Sequence, residues 1–192
     1  MLLAGLAFAM AVNCCDGGSG LIKQEIVNEA PKVEVIEVVE VVEVVEAPTF
    51  AIAPVSEGFK TYSLYGRTPP VEWQRYLYSE LEQKGFAWFM PYAMCQIQQE
   101  SCWNQWSDNG HDKGLTQQKG IYWDNRATHF GIPGADIWDP YAQLHVYSCM
   151  MCNFLLATGG NVEKALSLYF LGYDGYSEFY VNCVMSHMEV LE

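Results

Sequence analysis

The spacing of apolar residues after residue 57 predicts a series of helices. Trp73, Leu77 and Leu81 recur every four residues behind Pro70, and Gly85 follows them. Residues four apart lie on one face of a helix, proline is favoured in the first helical turn, and glycine often ends a helix. The pattern therefore predicts a first helix that begins near Pro70 and ends before Gly85.

Similar signals predict five more helices. Asp139 and Pro140 are suited to cap and begin the longest of them, and Asn161 is suited to cap the next. The five predicted helices cover residues 91–100, 116–130, 140–158, 162–171 and 177–190. No stretch shows the strong alternation of apolar and polar residues that is typical of a half-buried strand. We therefore expect a mainly α-helical domain.

The N-terminal region follows a different pattern, because residues 33–46 carry a glutamate at every third position among valines. Period three matches neither an amphipathic helix nor a strand, and the like charges repel one another. We expect residues 16–56 to form an extended, disordered, acidic spacer. The many valines leave a transient helix or β-prone aggregation as the alternative.

Residues 1–15 include an apolar run that is too short to cross a bilayer, which takes about 20 residues. The run fits the apolar part of a signal peptide, although the basic segment that usually precedes it is missing. We expect export on this basis. Cys14 follows Asn13, whereas a lipoprotein signal has a small residue directly before its cysteine, so lipidation at Cys14 stays an alternative.

Composition separates one aromatic-rich domain, residues 57–192, from this N-terminal region. A domain of that length can bury a core without metal ions or disulfides. The net charge of the chain is -13, but seven of its acidic residues are glutamates between positions 25 and 46. The absence of a Lys or Arg cluster argues against nucleic acid or anionic lipid as a partner. A membrane would be reached only through the N-terminal signal or a lipid anchor.

The cysteines of the domain are odd in number, which argues against a complete disulfide framework. Cys149 and Cys152 form a C-x-x-C inside an apolar helical pattern, without a second pair or a histidine at zinc-site spacing. Buried free thiols are the favoured interpretation, and one disulfide or a metal site are the alternatives. His111 and His129 lack a partner at helical spacing, so we expect no metal and no cofactor.

Glu100 is the candidate catalytic residue, because it lies where an apolar segment, residues 86–97, gives way to a polar loop, residues 104–113. Apolar surroundings disfavour the ionised form of a carboxyl group and raise its pKa. A glutamic acid that is protonated near neutral pH can serve as a general acid. The alternative is a solvated glutamate at a helix end.

Five short segments around and after Glu100 resemble, in order, the motifs of the lysozyme-like soluble lytic transglycosylase family. They read Glu-Ser-x-x-Asn at 100–104, Gly-Leu-Thr-Gln at 114–117, Asp-Ile-Trp-Asp-Pro at 136–140, Ala-Leu-Ser-Leu-Tyr at 165–169 and Tyr-Val-x-x-Val at 180–184. Each segment alone is weak evidence, and their order and spacing carry the resemblance. It covers residues 86–184 and implies a lysozyme-like fold.

The resemblance also implies an activity on peptidoglycan. Glu100 would protonate the glycosidic oxygen between N-acetylmuramic acid and N-acetylglucosamine, and would then take the proton of the muramic acid 6-hydroxyl, which gives a 1,6-anhydro ring. Such a protein would be periplasmic or membrane-anchored, or encoded by a phage that breaches the wall. Hydrolysis by a muramidase is an alternative, with Asp108 or Asp112 supporting a water molecule if they are not simply turn residues.

Three supporting residues follow from the same resemblance. Ser101 would help to fix the acid or would bond only to the backbone, Gln117 would bind a sugar N-acetyl group or orient Glu100, and Tyr169 would reach the carboxylate or simply pack. The sequence departs from the family at Phe170, where asparagine is usual, and at Met150, where tyrosine is usual. A binding or structural module with weakened catalysis is therefore a further alternative.

Overall fold

The computed structural model describes residues 49–50, 54, 57–172 and 175–192, all within one structural unit. The predicted signal segment and nearly all of the predicted spacer lie outside these residues. In the part of the chain that is described, no helix combines the length and apolarity needed to cross a membrane.

The described residues are mainly α-helical, which confirms the predicted class. The six α-helices are α1 (Val71–Gln83), α2 (Met90–Ser101), α3 (Trp123–His129), α4 (Pro140–Ala157), α5 (Val162–Leu171) and α6 (Glu178–Ser186). Three short 3-10 helices cover Ala87–Phe89, Gly120–Tyr122 and His187–Val190. A two-stranded antiparallel hairpin pairs β1 (Asp112–Lys113) with β2 (Gln118–Lys119).

Side-chain caps begin three of the helices, and two of them, Asp139 and Asn161, were predicted from sequence. The Asp139 carboxylate accepts a hydrogen bond from the backbone N–H of the second residue of α4 at 2.8 Å, with Pro140 in the first position. Asn161 accepts from the N–H of Lys164 at 2.9 Å at the start of α5, which ends at Gly172 with a φ of 72°. Ser177 caps α6 in the same way. These caps satisfy N–H groups that have no partner inside a helix.

Helix α4 is central, because it packs against both α1 and α5, while α2 packs against α6. Four of its apolar side chains are fully buried: Leu144, Tyr147, Met151 and Leu155. Each such side chain contributes roughly 1.5–3 kcal/mol on burial. A second, smaller apolar cluster around Trp123 holds α3 against α4.

The predicted third helix is wrong at its start, because residues 116–122 form a turn, strand β2 and a 3-10 helix before α3 begins at Trp123. The buried Gln143 side chain of α4 explains the difference. Its Oε1 accepts from the backbone N–H of Thr116 at 2.7 Å, and its Nε2 donates to the carbonyls of Lys113 at 2.9 Å and Ile137 at 2.5 Å. These bonds hold the segment in a turn. The last helix also stops at Ser186 rather than at residue 190.

Candidate active site

A cleft of about 340 Å³ contains the predicted acid. Glu100 reaches it from the end of α2, where Cys102 in a left-handed conformation (φ 52°) terminates the helix. The remaining lining residues come from the hairpin, from α3, from α4 and from α5 with its terminal glycine: Asn109, Asp112, Gln117, Lys119, Arg126, Met150, Tyr169, Phe170 and Gly172. The fold therefore brings Glu100, Gln117 and Tyr169 into one cleft.

The carboxyl group of Glu100 has a raised pKa of about 7. Burial is the main cause, since a charged carboxylate loses solvation in the cleft. A hydrogen bond from Tyr180 acts in the opposite direction, and the negative charge of Asp112 raises the pKa further. Near neutral pH, Glu100 is therefore present both as the acid and as the carboxylate. A residue that first donates a proton and then accepts one needs both forms.

Tyr180 is the residue that holds Glu100. Its hydroxyl donates a short hydrogen bond to Oε1 of Glu100 and accepts one from Nε2 of Gln96 at 3.0 Å. Gln96 is fully buried and accepts in turn from the hydroxyl of Tyr147 at 2.8 Å. The acid is therefore connected to the core through a continuous hydrogen-bond chain. Tyr180 begins the last of the five family-like segments, but nothing in its sequence position predicts a contact with Glu100.

Tyr169 lies in the cleft but makes its hydrogen bonds elsewhere. Its hydroxyl donates to the carbonyl of Thr116 at 2.6 Å and accepts from Nε2 of Gln118 at 2.7 Å, while its ring meets Tyr147 edge-on at 5.5 Å. Burial places its pKa above the ordinary value for tyrosine, and the nearby Glu100 charge adds to this. Tyr169 therefore stabilises the hairpin turn, and Tyr180 rather than Tyr169 contacts Glu100.

Ser101 and Gln117 both bond to the backbone around the acid. The buried Ser101 hydroxyl donates to the carbonyl of Leu115 at 2.6 Å, which ties the end of α2 to the hairpin turn. The Gln117 amide donates to the carbonyl of Gly114 at 2.8 Å and to that of Ser107 at 3.2 Å. Gln117 has a positive φ of 49°, and its side chain lines the cleft. Ser101 shapes the cleft, and Gln117 is placed to meet a ligand.

The two departures from the family pattern, Phe170 and Met150, both line the cleft. The Phe170 ring stacks on that of Tyr180 with centroids 4.5 Å apart and planes 9° apart. Where the family has an amide, this chain has an aromatic ring covering the tyrosine that holds the acid.

The two aspartates of the polar loop differ in position. Asp108 accepts from the N–H of Gly110 at 2.7 Å and pairs with Lys113 at 3.7 Å, which is the behaviour of a turn residue. Asp112 bonds with Asn109 through backbone and side chain, and it also lines the cleft with Glu100. Asp112 is therefore the second carboxylate of the site.

The aromatic residues between positions 103 and 123 divide into a buried and an exposed group. Trp103 and Trp123 belong to the core, whereas Trp106 is 65% exposed and Tyr122 is 48% exposed. The Trp106 ring lies 5.9 Å from that of Trp138 at an angle of 34°. The exposed rings are available to stack on sugar faces, and the buried ones are not.

One group of possible metal ligands lies away from the cleft, between α1 and α4. Single ligand atoms of Glu80, His145 and Cys149 fall within 4.8 Å of one another. His145 Nδ1 lies 3.1 Å from Glu80 Oε2, and its Nε2 lies 3.0 Å from the carbonyl oxygen of Phe130. Both partners are acceptors, so both ring nitrogens carry protons and neither offers a lone pair to a metal. The Cys149 sulfur and the Glu80 carboxylate raise the pKa of His145 to about 10.

The cysteines that the structure describes carry free thiols, but they are not uniformly buried. Cys95 and Cys152 are buried, Cys149 and Cys183 are partly buried, and Cys102 is exposed at the end of α2. The expected buried position is therefore wrong for Cys102. Cys14 lies outside the described residues.

No protein family matches this chain, and neither a curated protein nor a solved structure matches it. The resemblance to the transglycosylase family stays a prediction from five short motifs.

Proposed function

We propose that this protein is a peptidoglycan lytic transglycosylase in which Glu100 is the general acid and base. The observation that carries the proposal is the position of Glu100 in a cleft that Gln117 and Tyr169 also line, where burial raises the pKa of its carboxyl group to about 7. The motif order described above supports the substrate class. A lysozyme-like fold, export, and action in the periplasm, at a membrane anchor or from a phage belong to the same proposal.

In the proposed first step, protonated Glu100 gives its proton to the glycosidic oxygen as the bond from that oxygen to C1 of muramic acid breaks. The sugar on the other side leaves with a free 4-hydroxyl. The Tyr180 hydroxyl, which already donates to Oε1, stabilises the carboxylate that forms. Because the donor is fixed before the reaction, little reorganisation is needed when the charge appears.

In the second step, the Glu100 carboxylate takes the proton of the muramic acid 6-hydroxyl, and the oxygen of that group bonds to C1. The anhydro ring closes and Glu100 is protonated again. A pKa near 7 suits both steps, because a much lower value would disfavour the first and a much higher value would disfavour the second.

The test is mass spectrometry of fragments released from purified peptidoglycan by the protein and by Glu100→Gln. We expect 1,6-anhydro ends from the protein and none from the variant. Glu189→Gln is the matched control, since Glu189 is exposed and lies outside the cleft, and it should release the same fragments as the unaltered protein. Peptidoglycan left intact by the unaltered protein would overturn the proposal.

Hydrolysis is the second candidate function, and the position of Asp112 in the cleft favours it. A carboxylate there could activate a water molecule to attack C1 in place of the 6-hydroxyl. The same mass spectra separate the two functions, because hydrolysis gives reducing ends. Reducing ends that disappear in Asp112→Asn would establish the muramidase.

A further inference from the structure

We propose that Arg126 and Lys119 form a carboxylate-binding subsite in the cleft that contains Glu100, so that the cleft selects a negatively charged glycan over a neutral one. This inference rests on the proposed function, because it names the feature of the substrate that the same cleft would recognise.

Arg126 is held in place within the cleft by neutral groups. One of its terminal nitrogens donates to Oε1 of Gln118 at 2.7 Å, and its guanidinium carbon lies 5.7 Å from the centroid of the Tyr122 ring. Gln118 is fully buried and also donates to Tyr169, so its oxygen is a rigid partner. Arginine has five N–H donors, and this bond uses one of them.

Lys119 and Arg126 are both without an ion pair to any carboxylate of the described chain. Lys119 is opposite Asp112 in the hairpin register, yet the two do not come within salt-bridge distance. A partly buried guanidinium without a carboxylate partner is uncommon in a chain with so many acids, since such cations usually pair. The arrangement leaves two cations free to receive an anionic ligand.

The charge of the cleft differs from that of the surrounding domain. Residues 57–192 contain eight Lys or Arg and 15 Asp or Glu. When Glu100 is protonated, the cleft contains one negative group, Asp112, and two positive ones. The cleft is then positive on an acidic domain, and the local cations would attract an anion that the rest of the surface repels.

The planar fork of Arg126 matches the two oxygens of a carboxylate. Peptidoglycan offers this group from two sources: the lactyl carboxylate of muramic acid once the peptide has been removed, and the carboxylates of a peptide stem that is still attached. A glycan of N-acetylglucosamine alone offers none. The shared chemistry is a carboxylate carried near the bond that Glu100 would cleave.

The experiment measures binding rather than turnover, with every protein carrying Glu100→Gln. The ligands are peptide-free glycan strands, peptide-bearing peptidoglycan fragments and a neutral N-acetylglucosamine oligosaccharide. The variants are Arg126→Gln, Arg126→Lys and Lys119→Gln. Arg67→Gln is the matched control, because Arg67 is exposed and does not line the cleft.

We expect Arg126→Gln to weaken binding of the carboxylate ligands about tenfold or more, and Lys119→Gln about two- to threefold, because an exposed charge contributes less. Arg126→Lys should recover only part of the affinity, because lysine keeps the charge but lacks the paired donors of the guanidinium. The neutral oligosaccharide should bind equally to all variants. Raising the salt concentration should weaken the charged ligands alone. A loss limited to peptide-free strands identifies the lactyl group, and one limited to peptide-bearing fragments identifies the stem.

An equal loss of affinity for charged and neutral ligands, or no loss in any variant, would overturn the subsite. Lys119→Gln tests the subsite independently if Arg126→Gln fails to fold, because the Lys119 side chain makes no bond to the buried network. Digestion by the protein with Glu100 intact is scored separately. Cleavage without charge selection leaves the proposed function standing and removes the subsite, whereas charge-selective binding without cleavage does the reverse.

Discussion

Replacing Tyr180 by phenylalanine should raise the pKa of Glu100 above its value of about 7. The Tyr180 hydroxyl donates to Oε1 of Glu100 and so favours the carboxylate over the acid. The substitution removes one oxygen atom and keeps the ring, including its stacking on Phe170. The other two causes, burial and the charge of Asp112, both raise the pKa and remain.

A hydrogen bond to a charged group contributes at least about 1.5 kcal/mol. Since 1.36 kcal/mol corresponds to one pH unit, the midpoint for Glu100 should rise by about one. The substitution also leaves the Nε2 group of the buried Gln96 without its acceptor. We therefore expect a loss of about 1–2 kcal/mol in the free energy of unfolding.

The titration is followed by the carbon-13 NMR signal of the Glu100 carboxyl carbon in glutamate-labelled protein, assigned by its absence in Glu100→Gln. If the protein cleaves peptidoglycan, kcat/KM should fall as pH rises through this pKa, because a general acid must be protonated. That decline should move to higher pH in Tyr180→Phe. Tyr176→Phe is the control, since Tyr176 donates to the exposed Glu163 at 3.0 Å and should leave Glu100 unchanged.

A midpoint for Glu100 that stays in place or moves to lower pH in Tyr180→Phe would refute this reasoning. It would mean that the hydroxyl does not stabilise the carboxylate, and that burial and Asp112 alone determine the pKa.

Three further predictions concern stability. Burial alone would raise the pKa of Glu80, but hydrogen bonds from His145 and a neighbouring lysine lower it to about 2, so stability should be lost as pH falls from about 4.5 towards 2. Glu80→Gln should lose about 3 kcal/mol at neutral pH and flatten this dependence, measured by urea unfolding. Gly114→Ala should lose about 3 kcal/mol or more in the same assay, because φ is +76° and a Cβ would lie 1.9 Å from Nε2 of Gln143. Cys102→Gly should raise the melting temperature through a gain of about 1 kcal/mol, since Cys102 is left-handed at the end of α2.

Each of these predictions has an outcome that contradicts it. Gly110 is the control for Gly114, because its φ is +90° but no atom lies within 4 Å of an added Cβ, and Gly110→Ala should lose only about 1 kcal/mol. Equal losses would show that the contact with Gln143 is unimportant. Stability that changes with pH below 4.5 as much in Glu80→Gln as in the unaltered protein would exclude Glu80 as the cause. A lower melting temperature for Cys102→Gly would mean that the Cys102 side chain stabilises the fold.

The helices were predictable where their signals are local. The start of α4 follows from Asp139 and Pro140, and the end of α5 follows from Gly172, all within a few residues of the boundary. The start of α3 was not predictable, because the turn at Thr116 depends on Gln143, which is 27 residues away and belongs to another helix. No periodicity within residues 116–130 contains that information.

The same difference between local and distant signals applies to the residues of the candidate site. Glu100 was predictable as a candidate acid because the apolar and polar residues on either side of it are close to it in the sequence. Tyr180 is 80 residues further on, and Gln96 is one turn before Glu100 within an apolar segment where a glutamine gives no signal of its role. The partner of the acid is visible only once α2 and α6 pack together.

Phe170 gives the cleft a different organisation from the one that the family pattern would imply. An asparagine at this position would present a donor and an acceptor, whereas the Phe170 ring covers one face of Tyr180. Removing water from around a hydrogen bond strengthens it, because the local dielectric constant falls. The same removal of water raises the pKa of Glu100, and the strengthened bond from Tyr180 opposes that rise. Burial, which raises the pKa of Glu100, and the hydrogen bond, which lowers it, therefore strengthen together at this site. Their opposition keeps the pKa of Glu100 near neutrality, although Phe170 stands where the family usually has asparagine.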